Sequence, residues 1–237
     1  MRNNYVQELE ALHNKLLGLG KAAETSVNKA TQAYIESDTE LAHEVFSDDL
    51  RINATTAEIE KDTHKIIALQ QLVAQDLRML FAVLHVSIDL ERIADHAVSI
   101  GTIALRNQDH DEESQTVKGY LARMAQVAEK MIADALDSYI TRDAKKARKV
   151  ALMDEEIDEL LEAVYRDTAE RMERKRELIP AGIDYLGVAG SLERIGDYVT
   201  NICERVVFLN TSKPSCCCTI IAASRTTLWT TDRKSVV

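Results

Sequence analysis

An eleven-residue phrase occurs twice in this chain, at residues 90–100 (LERIADHAVSI) and at residues 192–202 (LERIGDYVTNI). Each copy holds a carboxylate pair at i, i+4: Glu91 with Asp95, and Glu193 with Asp197. On a helix such a pair stacks one turn above the other and offers up to four oxygens on one face. Asp and Glu supply 39 of 237 residues, so an acidic pair at this spacing is common and, taken alone, reads as a solvated face. Its position argues otherwise. At about 100° per residue, Leu84, Ile88, Glu91, Asp95 and Val98 share one stripe, so the acids interrupt an apolar line, where an unneutralised charge is expensive. Like charges one turn apart repel by about 0.2–0.5 kcal/mol when exposed, and by more as water is removed. A cation between them would turn repulsion into binding.

A matching element lies upstream in each half: Asp49-x-x-x-Asn53, and Asp154-x-x-x-Asp158. Asp49 precedes Ile52 by three residues just as Asp154 precedes Ile157, which places both acids beside an apolar seam. Each half thus assembles four oxygen-bearing side chains: Asp49, Asn53, Glu91 and Asp95, then Asp154, Asp158, Glu193 and Asp197. Asn53 is neutral and weakens the first set. Oxygen ligands without cysteine and with few histidines select magnesium, manganese, calcium or iron over zinc or copper. The plainer alternative is that these acids accept hydrogen bonds or ion pairs from Arg92, Arg194 or neighbouring helices.

Other chemistries find less support. Glu40-x-x-His43 has the spacing of a di-iron bundle ligand pair, but the second half has no partner for it. There is no phosphate-binding P-loop and no nucleophile elbow. Cys203 falls within a helical pattern without a histidine base, so it reads as packing, and most of the six scattered histidines read as surface or packing residues.

The elements that position the acids are helical. Gly is sparse at 8 and Pro at 2, which permits long uninterrupted helices and offers few turns for sheets. Leu9, Leu12, Leu16, Leu19 and Ala23 step by three and four, marking a first helix that ends near Ser37–Asp38. Val45, Ile52, Ile59, Ile66 and Val73 recur every seven residues and mark a second. Asp76 is placed to cap a third, which carries Leu77, Leu80, Leu84 and Ile88 into the repeated phrase. On that helix Val83, Val86, Leu90, Ile93 and Ala97 form the core face, leaving His85, Asp89, Arg92, His96 and Ser99 as the wet side. Residues Tyr34–Asp38 answer Tyr139–Asp143 at an offset of 105, while the repeated phrase returns at 102. A shortened connection at Pro180 and Gly182 accounts for the difference. The expectation is an all-α protein of two tandem three-helix bundles, six long helices related by internal duplication. The first repeat spans 1–107 and the second 108–211, with a polar break at Asn107–Glu113.

Residues 212–237 differ sharply from the rest, with three adjacent cysteines (Cys216, Cys217 and Cys218) and the single Trp. They read as an atypical, non-native tail and are set aside. A formal charge of −10 without a basic stripe disfavours direct nucleic-acid binding. With no apolar run of membrane-spanning length and no signal-peptide core, a cytoplasmic address follows by elimination.

The two LERI phrases, with Gln75-Asp76-Leu77-Arg78 leading into the first and a DxxxD element one helix earlier, resemble the PhoU family of bacterial phosphate-uptake regulators. The resemblance runs through residues 1–211 in both halves and does not reach the tail. It implies a six-helix, often dimeric, non-enzymatic protein that acts beside the phosphate-specific ABC transporter and holds the phosphate-starvation response off. The implied partners are the transporter's ATPase subunit and the sensor histidine kinase, with any membrane contact made through them. It also implies metal clusters on E(D)xxxD motifs, iron or zinc in some members. These motifs fall on Glu91 and Asp95, Glu193 and Asp197, and Asp154 and Asp158, and on Asp49 with the departure Asn53. Two rival readings stand beside it: a carboxylate-bridged di-metal redox protein, and a metal-free helical scaffold.

Overall fold

The structure, a computed structural model, describes residues 2–106 and 115–211. Every described element is helical. The first repeat comprises α1 (Arg2–Glu36), α2 (Thr39–Leu69) and α3 (Ala74–Arg106). The second comprises α4 (Gln115–Thr141), α5 (Ala144–Ala151), α6 (Asp154–Arg174) and α7 (Ile179–Thr211). The six-helix plan holds, with its fifth helix divided into α5 and α6. At the division Met153 N–H bonds the Val150 carbonyl at 2.9 Å, a tightened i→i−3 turn, and the helix restarts on Asp154. The polar break and residues 212–237 lie outside the described residues.

The heptad and three–four patterns become the cores. Leu12, Leu16, Leu19 and Ala23 of α1, Val45, Ile52, Ile59 and Ile66 of α2, and Val83, Val86, Leu90, Ile93 and Ala97 of α3 are buried together. Val150, Ile157, Val164, Leu192, Ile195, Val199 and Cys203 do the same in the second repeat. Each large aliphatic side chain so buried contributes about 1.5–3 kcal/mol. Val73 departs from its heptad: it lies beyond the end of α2 and is 63% exposed.

Duplication extends to the turns. Ser37 (φ 57°) and Arg142 (φ 52°) occupy the same left-handed position after α1 and α4. The next residue's N–H closes back onto the helix, Asp38 to the Ala33 carbonyl and Asp143 to the Ser138 carbonyl, both at 2.9 Å. Each Asp then caps the following helix. Asp38 accepts from Leu41 N–H, and Asp143 from the N–H groups of Lys145 and Lys146. Asp76 is not itself the cap of α3. It sits in the first turn, where its carboxylate accepts the Val73 N–H at 3.3 Å, the backward half of a capping box. Pro180 and Gly182 are likewise not the connection. They belong to the first turn of α7, where a missing N–H costs nothing, and the short 3₁₀ turn Arg176–Leu178 makes the link.

The repeats pack along two antiparallel pairs, α3 with α7 and α1 with α4. Arg106 of α3 pairs with Asp184 of α7, and at the middle of the seam the His96 and Tyr198 rings lie 5.7 Å apart. His96 and Tyr198 occupy the same place in the repeated phrase, so the pseudo-twofold axis relating the halves passes between them. Arg92 lies over the Tyr198 ring at 5.6 Å. The face expected to be wet is therefore partly this seam. Asp89 is only 7% exposed, and burial pushes its carboxyl up to about 6 against the pull of Arg205, Arg92 and His85. The seam escaped periodicity analysis because it is built from polar and aromatic side chains. No described helix is long and apolar enough to cross a membrane.

Candidate metal centre

In the first repeat α2 and α3 bring Asp49, Glu91 and Asp95 within electrostatic reach of one another. Burial, then the Asp95 charge, raises the Asp49 carboxyl, with the Asn53 amide opposing. Burial, then Asp95, then Asp49, raises Glu91. Both groups are partly desolvated acids with acidic neighbours, the condition a cation relieves. Asn53 turns its nitrogen toward the group, Nδ2 donating to Asp49 Oδ2 at 3.1 Å, while the buried Asp49 Oδ1 has no hydrogen-bond partner. Asp95 is exposed, and Ile88 on the same stripe is 42% exposed. Glu91 and Asp95 thus lie along an open flank of α3 beside the core.

In the second repeat the corresponding acid is placed more deeply. Asp154 is 3% exposed and opens α6, where the first-turn N–H groups favour negative charge. A Cβ added to Gly196 would fall 2.4 Å from Asp154 Oδ1 and 3.1 Å from Ile157 Cδ1. The carboxylate therefore rests on the bare backbone of α7, between the turns that carry Glu193 and Asp197. The first repeat has Ala94 at the position of Gly196, and Asp49 is correspondingly less buried than Asp154. Glu193, Asp197 and Asp158 are each partly buried. Arg194 lies 3.8 Å from both Glu193 and Asp197, a loose, exposed contact of the kind that contributes little to stability. Arg92, its counterpart, lies over the Tyr198 ring, and its charge opposes the rise at Glu91.

The packing thus brings acids from two helices together in each half, and the role of Gly196 was not legible beforehand. Among the described residues no three His, Cys, Asp or Glu side chains are gathered tightly enough to hold a metal ion as they stand. The donor chemistry fits a hard cation, with an orphaned oxygen on Asp49 and a glycine cradle beneath Asp154; the oxygens would have to draw inward around it. Glu40 and His43 remain exposed on α2.

Fold and site together define a duplicated helical-bundle protein whose repeats carry matching acidic clusters on their second and third helices. A family model described as the PhoU domain matches residues 16–104 and 121–206. A "Phosphate-specific transport system accessory protein PhoU homolog" of Streptococcus pneumoniae is 35% identical over 216 residues, covering 90% of this chain and 98% of the relative. One from Caulobacter vibrioides is 36% identical over 205 residues, covering 86% and 89%. The crystal structure of PhoU from Pseudomonas aeruginosa superposes with a TM-score of 0.84 at 31% identity, covering 88% of this chain and 100% of that one. That of the phosphate transport system regulatory protein PhoU from S. pneumoniae gives 0.80 at 33%, covering 89% and 99%. The chain belongs to the PhoU family.

Proposed function

We propose that this protein regulates phosphate uptake as a metal-binding adaptor without catalytic activity. In this reading it docks on the ATPase subunit of a phosphate ABC transporter and on the sensor histidine kinase of the phosphate response, and holds that response off when phosphate is plentiful. It works in the cytoplasm, as a homodimer, at the inner membrane face through its partners. The relatives' names and the match of both repeats support the transport role. The observation that carries the metal is the convergence of acids from two helices in each repeat, with burial and mutual repulsion acting on Asp49 and Glu91 in the first and Asp154 buried against the backbone of α7 in the second. Asp154, Asp158, Glu193 and Asp197 would hold the ion in the second repeat. Asp49, Glu91 and Asp95 would do so in the first, with Asn53 contributing only if its amide turns its oxygen inward.

A bound cation would cancel the repulsion and tie the second helix to the third in each bundle, fixing the surface offered to a partner. Because it binds the folded state, it would also stabilise that state by mass action. The metal-free scaffold draws support from the Asn53–Asp49 hydrogen bond and from Arg194 beside Glu193 and Asp197. Chelator treatment separates the two. The adaptor reading expects a lower melting temperature that recovers on adding iron, zinc, manganese or magnesium, and an unchanged melt in every case supports the scaffold. Co-purification with the ATPase subunit and the kinase tests the role itself, and capture of neither refutes it.

A further inference from the structure

A cavity of about 430 Å³ lies at one end of the α1–α4 pair, away from the acidic clusters and bridging both repeats. Its walls are His13, Asn14 and Leu17 of α1 and Tyr139, Ile140 and Arg142 at the end of α4, closed by Met79 of α3 and Leu209 of α7. Two costs converge on it. Tyr139 is 5% exposed, yet its hydroxyl is buried without a hydrogen-bond partner, an expensive condition in an interior. Arg142 keeps a long side chain at φ 52°, where glycine would be unstrained. Its guanidinium is felt by both His13 and Tyr139 and donates to the Met79 sulfur at 3.6 Å, a weak use of a strong donor. Burial, with the Arg142 charge, lowers the His13 pKa and favours the neutral imidazole, against the opposing hydrogen bond to the Leu9 backbone.

The opposite end of the molecule supplies the comparison. There the same tyrosine recurs as Tyr34, packed edge-on against Tyr185 with ring centroids 6.3 Å apart, where Tyr139 instead has the tilted His13 ring beside it at 5.8 Å. His13 and Arg142 are answered at that end by Lys118 and Ser37. The duplication therefore placed a tyrosine pair at one end, and at the other a tyrosine with an unpartnered hydroxyl beside a cation and an imidazole on a cavity wall.

We infer that this cavity is a binding site for a small organic monoanion with an apolar or aromatic body. The body fits against Leu17, Ile140, Met79 and Leu209, the anionic group against Arg142, and Tyr139 supplies the hydrogen bond it otherwise lacks. Glu10 on the rim disfavours a second negative charge on the ligand. Such a ligand spans four helices of both repeats and locks their seam, which makes the site an input independent of the acidic clusters.

The test uses the full chain and the aromatic monoanion 8-anilinonaphthalene-1-sulfonate, titrated by fluorescence and by thermal melting. One saturable site per chain is expected. Arg142→Gly removes the cation and relieves the left-handed strain, so it should raise the melting temperature of the ligand-free protein while weakening the probe about tenfold. Tyr139→Phe should likewise melt no lower than the parent and bind the probe several-fold more weakly. Leu17→Trp, which fills the cavity, should abolish binding. Probe affinity unchanged in Arg142→Gly and Tyr139→Phe would overturn the assignment, and so would displacement of the probe by inorganic phosphate at equal concentration, since the site would then read phosphate and not an organic anion.

Discussion

Two glycines of α7 lie within six residues of each other and should respond oppositely to the same change. Gly190 has no heavy atom within 4 Å of an added Cβ, so Gly190→Ala gains the helix propensity of alanine, about 1 kcal/mol, with no clash. Gly196→Ala gains the same propensity but sets its Cβ 2.4 Å from Asp154 Oδ1, where ordinary contact begins near 3.4 Å. It also meets Ile157 Cδ1 at 3.1 Å, so a carboxylate that is 3% exposed and a core isoleucine must both yield. Overpacking of this kind costs about 1–3 kcal/mol, which over most of that range outweighs the propensity gain of about 1 kcal/mol. At roughly 2–4 °C per kcal/mol for a chain of this size, Gly190→Ala should melt about 2–4 °C above the parent, with Gly196→Ala below it. The measurement is thermal unfolding by circular dichroism of chelator-treated protein, followed by metal stoichiometry after reloading. Displacement of Asp154 should lower bound metal in Gly196→Ala and leave it unchanged in Gly190→Ala. Equal melting temperatures for the two variants would refute the claim that the Asp154 carboxylate is seated on the α7 backbone.

Further expectations follow from the same geometry. Glu193→Ala with Asp197→Ala should empty the second repeat of metal and leave the first repeat's share, measured by elemental analysis; wild-type content would show that these acids are not ligands. The Asp89 carboxyl, raised from 3.8 to about 6 by burial, keeps its proton in the folded chain after the unfolded chain has lost it. Stability should therefore fall by up to roughly 3 kcal/mol as pH rises through that window and stay reduced above it. Urea titrations from pH 4 to 8 should show the loss shrinking in Asp89→Asn, and parallel curves would count against the buried acid. Ser37→Gly should stabilise the protein by a few tenths to about 1 kcal/mol, because the turn after α1 holds serine at φ 57°. A lower urea midpoint for that variant would contradict the strain argument.

Much of this protein is legible residue by residue. The seven-residue spacing of Val45, Ile52, Ile59 and Ile66 forces one face of α2 inward, and aliphatic burial is additive and indifferent to partner, so periodicity alone finds the core. The matched turns Ser37–Asp38 and Arg142–Asp143 are legible for a related reason: the cap hydrogen bonds close within a few residues. The acidic pairs, their repetition and their upstream counterparts were likewise visible as spacing. What spacing could not supply was depth and neighbour. Asp154 and Asp49 look equivalent in sequence, yet a missing methyl on a different helix, Gly196 against Ala94, buries one and leaves the other half open. Asp89, Arg92 and His96 carry the composition of a wet face, but the pseudo-twofold packing of α3 on α7 turns them into a seam where ring stacking and charge replace aliphatic contact. The Tyr139 cavity exists because four helices from both repeats meet around it. Local pattern fixes which face of each helix seeks an apolar partner, because burying surface needs no particular neighbour. Docking of polar faces depends on pairwise geometry, and only the assembled tertiary structure sets that.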